Sequence, residues 1–161
     1  MASHTIDPRP GQQSLPAAGL GRRLGAMLYD SLLLFAVTWS VTAIEIALRV
    51  ARVGDAAVRA SPHTAVAGPL LQIPLACAVV LFFGWFWTRS GQTLGMQAWR
   101  LRIDTLEGAR IGWRQVLLRI VGASLSAACL GLGYWWILFD PEKRAWHDHI
   151  SHSRVVVLPA K

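Results

Sequence analysis

Charged residues are scarce in this chain of 161 residues. Only 16% of the residues are charged, against about 25% in a typical soluble domain, and 53% are hydrophobic. This shortage of charge, together with a mean hydropathy of +0.39, argues against a disordered chain and against an ordinary soluble enzyme. We therefore expect an integral membrane protein.

Acidic residues are the scarcer of the two signs, with nine Asp and Glu against sixteen Lys and Arg. The arginines flank apolar runs instead of lining one face of a soluble module, which is typical of the positive-inside rule. Eight Trp residues also fit the aromatic belts of a membrane protein. We expect attraction to anionic lipids and no binding of nucleic acid.

Cysteines are few, and recognised catalytic motifs are missing. Cys77 and Cys129 each lie within an apolar run, where they act as small hydrophobic residues and predict no disulfide. The chain carries no nucleophile elbow, phosphate loop or metalloprotease helix, so we expect neither an enzyme nor a cofactor. We also predict no secretory signal, because the first apolar run begins only near Ala26.

Three apolar runs predict the membrane segments. Residues 1–18 are rich in Pro, Gly, Ser and Gln and predict a flexible tail. The run 26–48 would extend about 34 Å as a helix, enough for a hydrocarbon core of about 30 Å. The run 65–87 ends in an aromatic belt, and Pro74 predicts a kink within it. Both runs are predicted to span.

The third run, 116–139, leaves two alternatives open. Arg119 interrupts it early, and Gly131 and Gly133 interrupt it late, so it is either one span or a bent pair of short helices. Its centre is rich in small residues, with Gly122 and Ser126 four positions apart, which favours close helix packing or contact with a second copy.

The basic connection 88–114 predicts a β-hairpin at the membrane surface. Residues 99–104 alternate apolar and polar side chains, Glu107-Gly108 supplies a turn, and the alternation resumes at 111–113. The predicted fold is an all-α membrane protein. It is a small helical bundle of two clear spans plus a third spanning or re-entrant segment, with a small interfacial β-hairpin and a C-terminal cap at 140–158.

The positive charges favour one orientation. The N-terminal flank, the basic connection and the C-terminal tail hold twelve basic residues, and the connection between the first two runs holds three. If the third run returns to its starting side, the bias is twelve to three; if it spans once, the counts become eight and seven. The positive-inside rule therefore favours a multi-pass protein with a cytoplasmic N-terminus, and a cytoplasmic C-terminus.

Arg23 and Asp30 are the first candidate site. They stand seven residues apart, so they share one helix face, and Asp30 leans towards Arg23. A direct pair, a bridging water or another partner would each satisfy Asp30. The alternative without a functional role is that Arg23 reaches a lipid phosphate and that a neighbouring helix donates hydrogen bonds to Asp30.

Asp148 joins Arg23 and Asp30 as a candidate for ion or substrate binding, and His147 and Glu45 are secondary candidates. Asp148 is predicted to accept hydrogen bonds from an arginine or from backbone amides within the cap. The neighbouring His147, with His149 and His152, lacks the spacing of a metal site, so we expect no metal. Glu45 stands four residues before an arginine and predicts an interfacial ion pair; the alternative is a second carboxylate on an ion path.

Several sequence blocks together resemble the RDD family of small bacterial membrane proteins. These blocks are Arg23-Leu24-Gly25-Ala26-Met27-Leu28-Tyr29-Asp30, Gly91-Gln92-Thr93-Leu94-Gly95, Glu107-Gly108, Asp140 and His147-Asp148. The resemblance extends over 19–158 and implies that Arg23, Asp30 and Asp148 are the arginine and two aspartates of the family name. One departure is Ser151-His152-Ser153, where the family pattern has a small residue, Gly and Thr.

The resemblance implies an inner-membrane protein with a proposed role in transport, and cation/proton exchange has been suggested for some members. Asp30 would then carry a proton or monovalent cation, Arg23 would be its electrostatic partner, and Asp148 would be a gate or anchor. A thin bundle of this kind would need a second copy or another membrane partner. The alternative is a non-catalytic scaffold or accessory subunit, in which the same residues only fix the fold.

Overall fold

The computed structural model of the protein describes residues 15–60 and 68–160. Its helices and strands are α1 (Leu20–Val53), α2 (Asp55–Ala60), α3 (Pro69–Arg89), α4 (Leu94–Ala98), β1 (Leu101–Thr105), α5 (Trp113–Ala128), α6 (Leu132–Trp135), α7 (Trp146–Ile150) and β2 (Ser153–Val157). A 3₁₀ turn at Trp136–Leu138 continues from α6. Most of the predicted tail, residues 1–14, and the first residues of the second run, 65–67, lie outside the described residues.

Two helices are long and apolar enough to cross a membrane, as predicted. Helix α1 has 34 residues and extends roughly 51 Å, while α3 has 21 residues and extends roughly 32 Å. Pro74 lies inside α3 without ending it. Large apolar side chains on α1, such as Leu32, Phe35 and Trp39, are about two-thirds exposed in the isolated chain. Such outward apolar surfaces are suited to lipid.

The third apolar run forms the bent pair of helices. Helix α5 has 16 residues and extends roughly 24 Å, less than the thickness of a hydrocarbon core. The segment after α5 turns by 107°. Leu130 and Gly131, with φ of 54° and 80°, occupy the left-handed region at this turn and so end the helix.

The chain then returns along α5, because α7 packs against the small residues of that helix. A Cβ atom on Gly122 would lie 2.9 Å from the Cα of His147, so only glycine permits this approach. Ser126, one turn further along, is also buried. The small-residue stretch that predicted helix packing therefore contacts the chain's own C-terminal segment, residues 140–158.

The sheet has a different partner strand from the one predicted. Strand β1 pairs antiparallel with β2, with Ile103 opposite Val155. The segment 111–113 contributes no strand, and one isolated bridge joins Asp104 to Arg110. The physical reason is that Gly112 is the N-cap of α5, so too few residues follow the turn to extend the hairpin.

Three distant parts of the chain meet at one end of the bundle, which we call the cap (residues 16–18, 90–112 and 140–158). The backbone of Val157 donates to Pro16 over 2.9 Å, and Ala18 donates to Val155 over 2.9 Å, so β2 lies between β1 and the segment before α1. Residues 16–18 of the predicted tail are therefore part of the fold. The main apolar core lies here, formed by Ala18, Ala26, Met96, Leu101, Ile103, Ile111, Val116 and Val155.

Side-specific labelling should detect this return of the chain. In a background with Cys77 and Cys129 replaced by alanine, single cysteines at Glu107 and Ala160 should react with a membrane-impermeant maleimide from the same side. A cysteine at Ala57, in α2 between the two long helices, should react from the opposite side. Labelling of the Ala160 position together with Ala57 would contradict the re-entrant path and indicate a third complete span.

Candidate functional site

A carboxylate shared by two arginines lies at the centre of the cap. Asp148, on α7, is fully buried. Its Oδ2 accepts a hydrogen bond from Arg23 Nη1 over 2.5 Å, and its Oδ1 accepts one from Arg119 Nη1 over 2.7 Å. The backbone N–H of Ala145 also donates to Oδ2, at 3.0 Å. An arginine or backbone amides were the predicted donors to Asp148, and the structure has both.

Arg23 fastens the start of α1 to the cap. Its Nε donates to the carbonyl of Ala18 over 3.1 Å, and its Nη2 donates to the carbonyl of Lys143 over 2.7 Å. Arg23 is 5% exposed. With Asp148 as its third partner, the planar guanidinium of Arg23 donates hydrogen bonds to the segment before α1, to the carbonyl of Lys143 and to α7.

Arg119 is the residue that the sequence analysis missed. It lies on α5, is 3% exposed, and contributes the second positive charge to Asp148. Its Nη1 also donates to Ser153 Oγ at the start of β2. Its guanidinium lies 5.4 Å from the ring centre of Trp87 on α3. A charge inside an apolar run is costly, and this was the available indication that Arg119 needs a buried partner.

The charges in this cluster fix two protonation states. Burial opposes ionisation of Asp148, but the charges of Arg119 and Arg23 outweigh it and hold the pKa of this carboxyl well below its usual range. Burial, then Arg119, lower the pKa of His147 from 6.5 to about 3. His147 is therefore neutral at neutral pH, and its approach of 3.6 Å to Asp148 is not an ion pair.

Asp30 has different partners from those of Asp148. Its Oδ2 accepts a hydrogen bond from Thr93 Oγ1 over 2.5 Å, and its Oδ1 accepts one from the backbone N–H of Gly95 over 2.9 Å. Thr93 Oγ1 also caps α4 by accepting from Met96 N over 3.2 Å. Gly95 is required here, because a Cβ atom would lie 2.3 Å from the carbonyl oxygen of Ala26.

The shared helix face of Arg23 and Asp30 does not produce a direct pair. Arg23 turns to Asp148, while Asp30 contacts the turn after α3 and the start of α4. Of the alternatives left open, the structure selects another partner for Asp30. That partner is the Thr93-Leu94-Gly95 segment, which belongs to one of the sequence blocks that carried the family resemblance.

A cavity of about 350 Å³ joins these two sites. Its wall includes the polar residues Arg23, Asp30, Arg119, Ser124, Tyr134 and His147. The remaining lining side chains are mostly apolar and come from α1, α3, α4, α5 and the sheet. Asp30 and the two arginines therefore lie on one internal surface, although Asp30 pairs with neither arginine among the described residues.

The other candidates lie away from this cavity. Glu45 pairs with Arg49 at 3.2 Å on the face of α1, which confirms the predicted ion pair. His149 Nε2 lies 3.4 Å from Asp140 Oδ1. Within residues 15–60 and 68–160, no group of three or more His, Cys, Asp or Glu side chains has the geometry to hold a metal ion.

The departure Ser151-His152-Ser153 preserves the local chemistry. His152 adopts φ of 51°, a left-handed conformation in which glycine is favoured, and this explains the glycine of the family pattern. Ser153 supplies the hydroxyl that Arg119 binds, as the threonine of the pattern could. The chain thus keeps the hydroxyl partner and accepts backbone strain at an exposed histidine.

Asp148→Asn should destabilise the protein strongly. It leaves two buried arginines without their negative partner, and breaking a buried pair in this way costs about 3–5 kcal/mol. Thermal unfolding in detergent, with membrane abundance, would measure the loss. Asp55→Asn is the matched control, because its pair with Arg59 is exposed and should contribute less than about 1 kcal/mol. Equal small losses for both variants would contradict the central role of Asp148.

Acidification should destabilise the protein through His147. Its pKa of about 3 in the folded state lies below the ordinary 6.5, so the unfolded chain binds more protons between these values. The stabilisation is complete above pH 6.5 and is lost as the pH falls towards 3, with a slope of at most about 1.4 kcal/mol per pH unit. His147→Gln should flatten the decline in melting temperature from pH 7 to 5, whereas His152→Asn should not. If His147→Gln leaves the decline in melting temperature unchanged, a different titrating group causes that decline.

The comparisons with known proteins agree with the resemblance seen in the sequence. The model of the RDD family matches residues 17–152, more than four fifths of the chain. Neither the curated proteins nor the solved structures gave a match. The matched region contains Arg23, Asp30 and Asp148 as well as both long apolar helices. The chain therefore belongs to the RDD family and is a membrane protein.

Proposed function

We propose that this protein is a small proton-coupled transporter of the inner membrane in which Asp30 carries a proton or a monovalent cation. One observation carries the proposal: Asp30 is 6% exposed, lines the cavity, and has only neutral hydrogen-bond donors as partners among the described residues. A buried carboxylate without a fixed counter-charge favours binding of a proton or cation.

The arrangement of charge supports this role for Asp30 and not for Asp148. Asp148 has two positive partners, so it stays ionised and acts as an anchor for the cap. Arg23, Arg119 and Asp148 together carry one excess positive charge, and an ionised Asp30 on the same cavity balances it. When Asp30 takes up a proton, the cavity becomes positive by one charge, which assists release.

The cap geometry supports the predicted orientation. Residues 16–18, the basic connection and residues 140–158 meet at one end, which agrees with the arrangement that has a bias of twelve basic residues to three. We therefore infer a multi-pass bacterial inner-membrane protein with both termini in the cytoplasm. Two long helices and a re-entrant pair form a thin wall, so we infer a homo-oligomer or a membrane partner for complete passage.

A scaffold or accessory subunit is the second candidate. It is favoured by the hydrogen bonds of Asp30 to Thr93 and Gly95, which hold α4 against α1. In this case Asp30 serves only to position the cap on the membrane helices. The two functions differ in what the loss of its charge would do.

Asp30→Asn should abolish cation-dependent proton movement without lowering the abundance of the protein. Inside-out vesicles would be prepared from a host that lacks its own sodium/proton exchangers. After respiration acidifies the lumen, a pH-sensitive dye should report proton release on addition of Na⁺, Li⁺ or K⁺. Asp55→Asn, which removes an exposed carboxylate on α2, should behave as the wild type. Equal traces from wild type, Asp30→Asn and empty membranes would exclude cation/proton exchange.

Thr93→Val separates the two candidates. It removes one hydrogen bond to Asp30 and the cap of α4, but it leaves the carboxylate in place. In a transporter, exchange per protein molecule should persist in Thr93→Val and vanish in Asp30→Asn. If both variants instead lower membrane abundance or partner recovery to the same extent, and no flux is seen in the wild type, the scaffold is favoured.

A further inference from the structure

Three buried nitrogen atoms belong to residues on the cavity wall and have no hydrogen-bond partner among the described residues. They are Arg119 Nε, Trp87 Nε1 and His147 Nδ1. Buried polar groups in folded proteins are nearly always paired, so each orphaned nitrogen requires an explanation. Arg119 and Trp87 offer N–H donors, and neutral His147 donates or accepts according to its tautomer.

Arg119 is held in place by its hydrogen bonds, and its guanidinium contacts the ring of Trp87. Arg119 is 3% exposed and is fixed through Nη1 by Asp148 and Ser153, so it is not free to turn towards another acceptor. Its guanidinium lies over the ring of Trp87, at 5.4 Å. Arg119 and Trp87 are thus in contact, and the N–H groups at Arg119 Nε and Trp87 Nε1 take no part in the hydrogen bonds described above.

The local charge favours an anion. Arg23 and Arg119 share the single negative charge of Asp148, which leaves one excess positive charge at this end of the cavity. Asp30 lines the same cavity, but its oxygens accept hydrogen bonds from Thr93 and Gly95 and contact neither arginine, so it supplies charge to the cavity and no acceptor to these donors. A monoanion with two acceptor oxygens would match both the charge and the two donors.

The rest of the cavity favours an apolar body attached to that anion. Its apolar lining includes Val79, Phe83, Met96 and Ile120. Lining residues Met27 on α1 and Ser124 and Ala127 on α5 are exposed at the outer surface of these helices. The cavity thus reaches the lateral surface of the bundle, where a membrane molecule can enter. Its volume of about 350 Å³ lies at the lower end of the range for ligand pockets.

We propose that this cavity binds the monoanionic group of an amphiphile, with Arg119 Nε and Trp87 Nε1 as donors and the apolar chain along α3 and α5. The shared chemistry is a monoanion with two acceptor oxygens on an apolar chain. A fatty-acid carboxylate and the phosphodiester of a phospholipid are its two sources. This site does not depend on Asp30 as a carrier, and its occupation is measured without any flux.

Binding of laurate to the delipidated full-length chain in non-ionic detergent tests the site. Radiolabelled laurate should bind saturably in equilibrium dialysis, and dodecanol, which has the same chain and no charge, should compete poorly. Trp87→Phe removes one N–H donor and leaves an aromatic ring in place, so it should weaken laurate binding about tenfold. Trp85→Phe is the matched control, two residues away on α3 and 57% exposed, and should bind as the wild type.

Three results would overturn the proposal. Equal competition by dodecanol and laurate would mean that the cavity binds apolar chains regardless of their charge. Equal laurate affinity in Trp87→Phe and Trp85→Phe, with both variants folded by circular dichroism, would exclude the Trp87 donor. Absence of saturable laurate binding to the wild type would leave water as the partner of these nitrogens and would also overturn it.

The lipid that copurifies with the protein identifies which of the two anions is the natural ligand. Mass spectrometry before delipidation should detect one anionic amphiphile per chain, which is retained by Trp85→Phe and depleted in Trp87→Phe. Phosphatidylglycerol in that position identifies the phosphodiester, and a free fatty acid identifies the carboxylate. Equal retention by the two variants of whichever lipid is found would count against the site.

Discussion

The fold of the cap depends on the buried carboxylate of Asp148 and its two arginines. A carboxylate without exposure to solvent is tolerated only with charged or hydrogen-bonding partners, and here those partners come from α1 and α5. The same three side chains therefore bring together segments separated by 125 and 29 positions in the chain. The β1–β2 pairing and the packing of α7 on α5 follow from this placement.

The two aspartates of the family name occupy opposite electrostatic environments. Asp148 contacts two positive charges, whereas Asp30 contacts none among the described residues and accepts hydrogen bonds from one hydroxyl and one backbone N–H. Since both environments border one cavity, the excess positive charge around Asp148 compensates the negative charge of an ionised Asp30 at the other end. The proposed function assigns them separate roles, with Asp148 as the anchor of the cap and Asp30 as the carrier.

Local features of this protein were predictable from its sequence, and distant partners were not. Hydropathy and length predicted both long helices, and the spacing of four predicted the pair of Glu45 with Arg49. Helical periodicity placed Arg23 and Asp30 on one face, but it carries no information about the cap, which supplies the partner of Arg23. The hairpin prediction was incomplete for the same reason, because a local turn does not reveal that β2 is available to pair with β1.

Arg119 and the bend after α5 explain each other. Six residues into α5, this arginine would lie roughly 9 Å along a spanning helix, where an unpaired charge is costly. The left-handed turn at Leu130 and Gly131 sends the chain back so that α7 reaches α5, and Asp148 then neutralises Arg119. A straight third span would carry residues 140–158, and with them the carboxylate of Asp148, to the opposite side. The re-entrant path is thus the topology in which the charge inside the third apolar run acquires its partner.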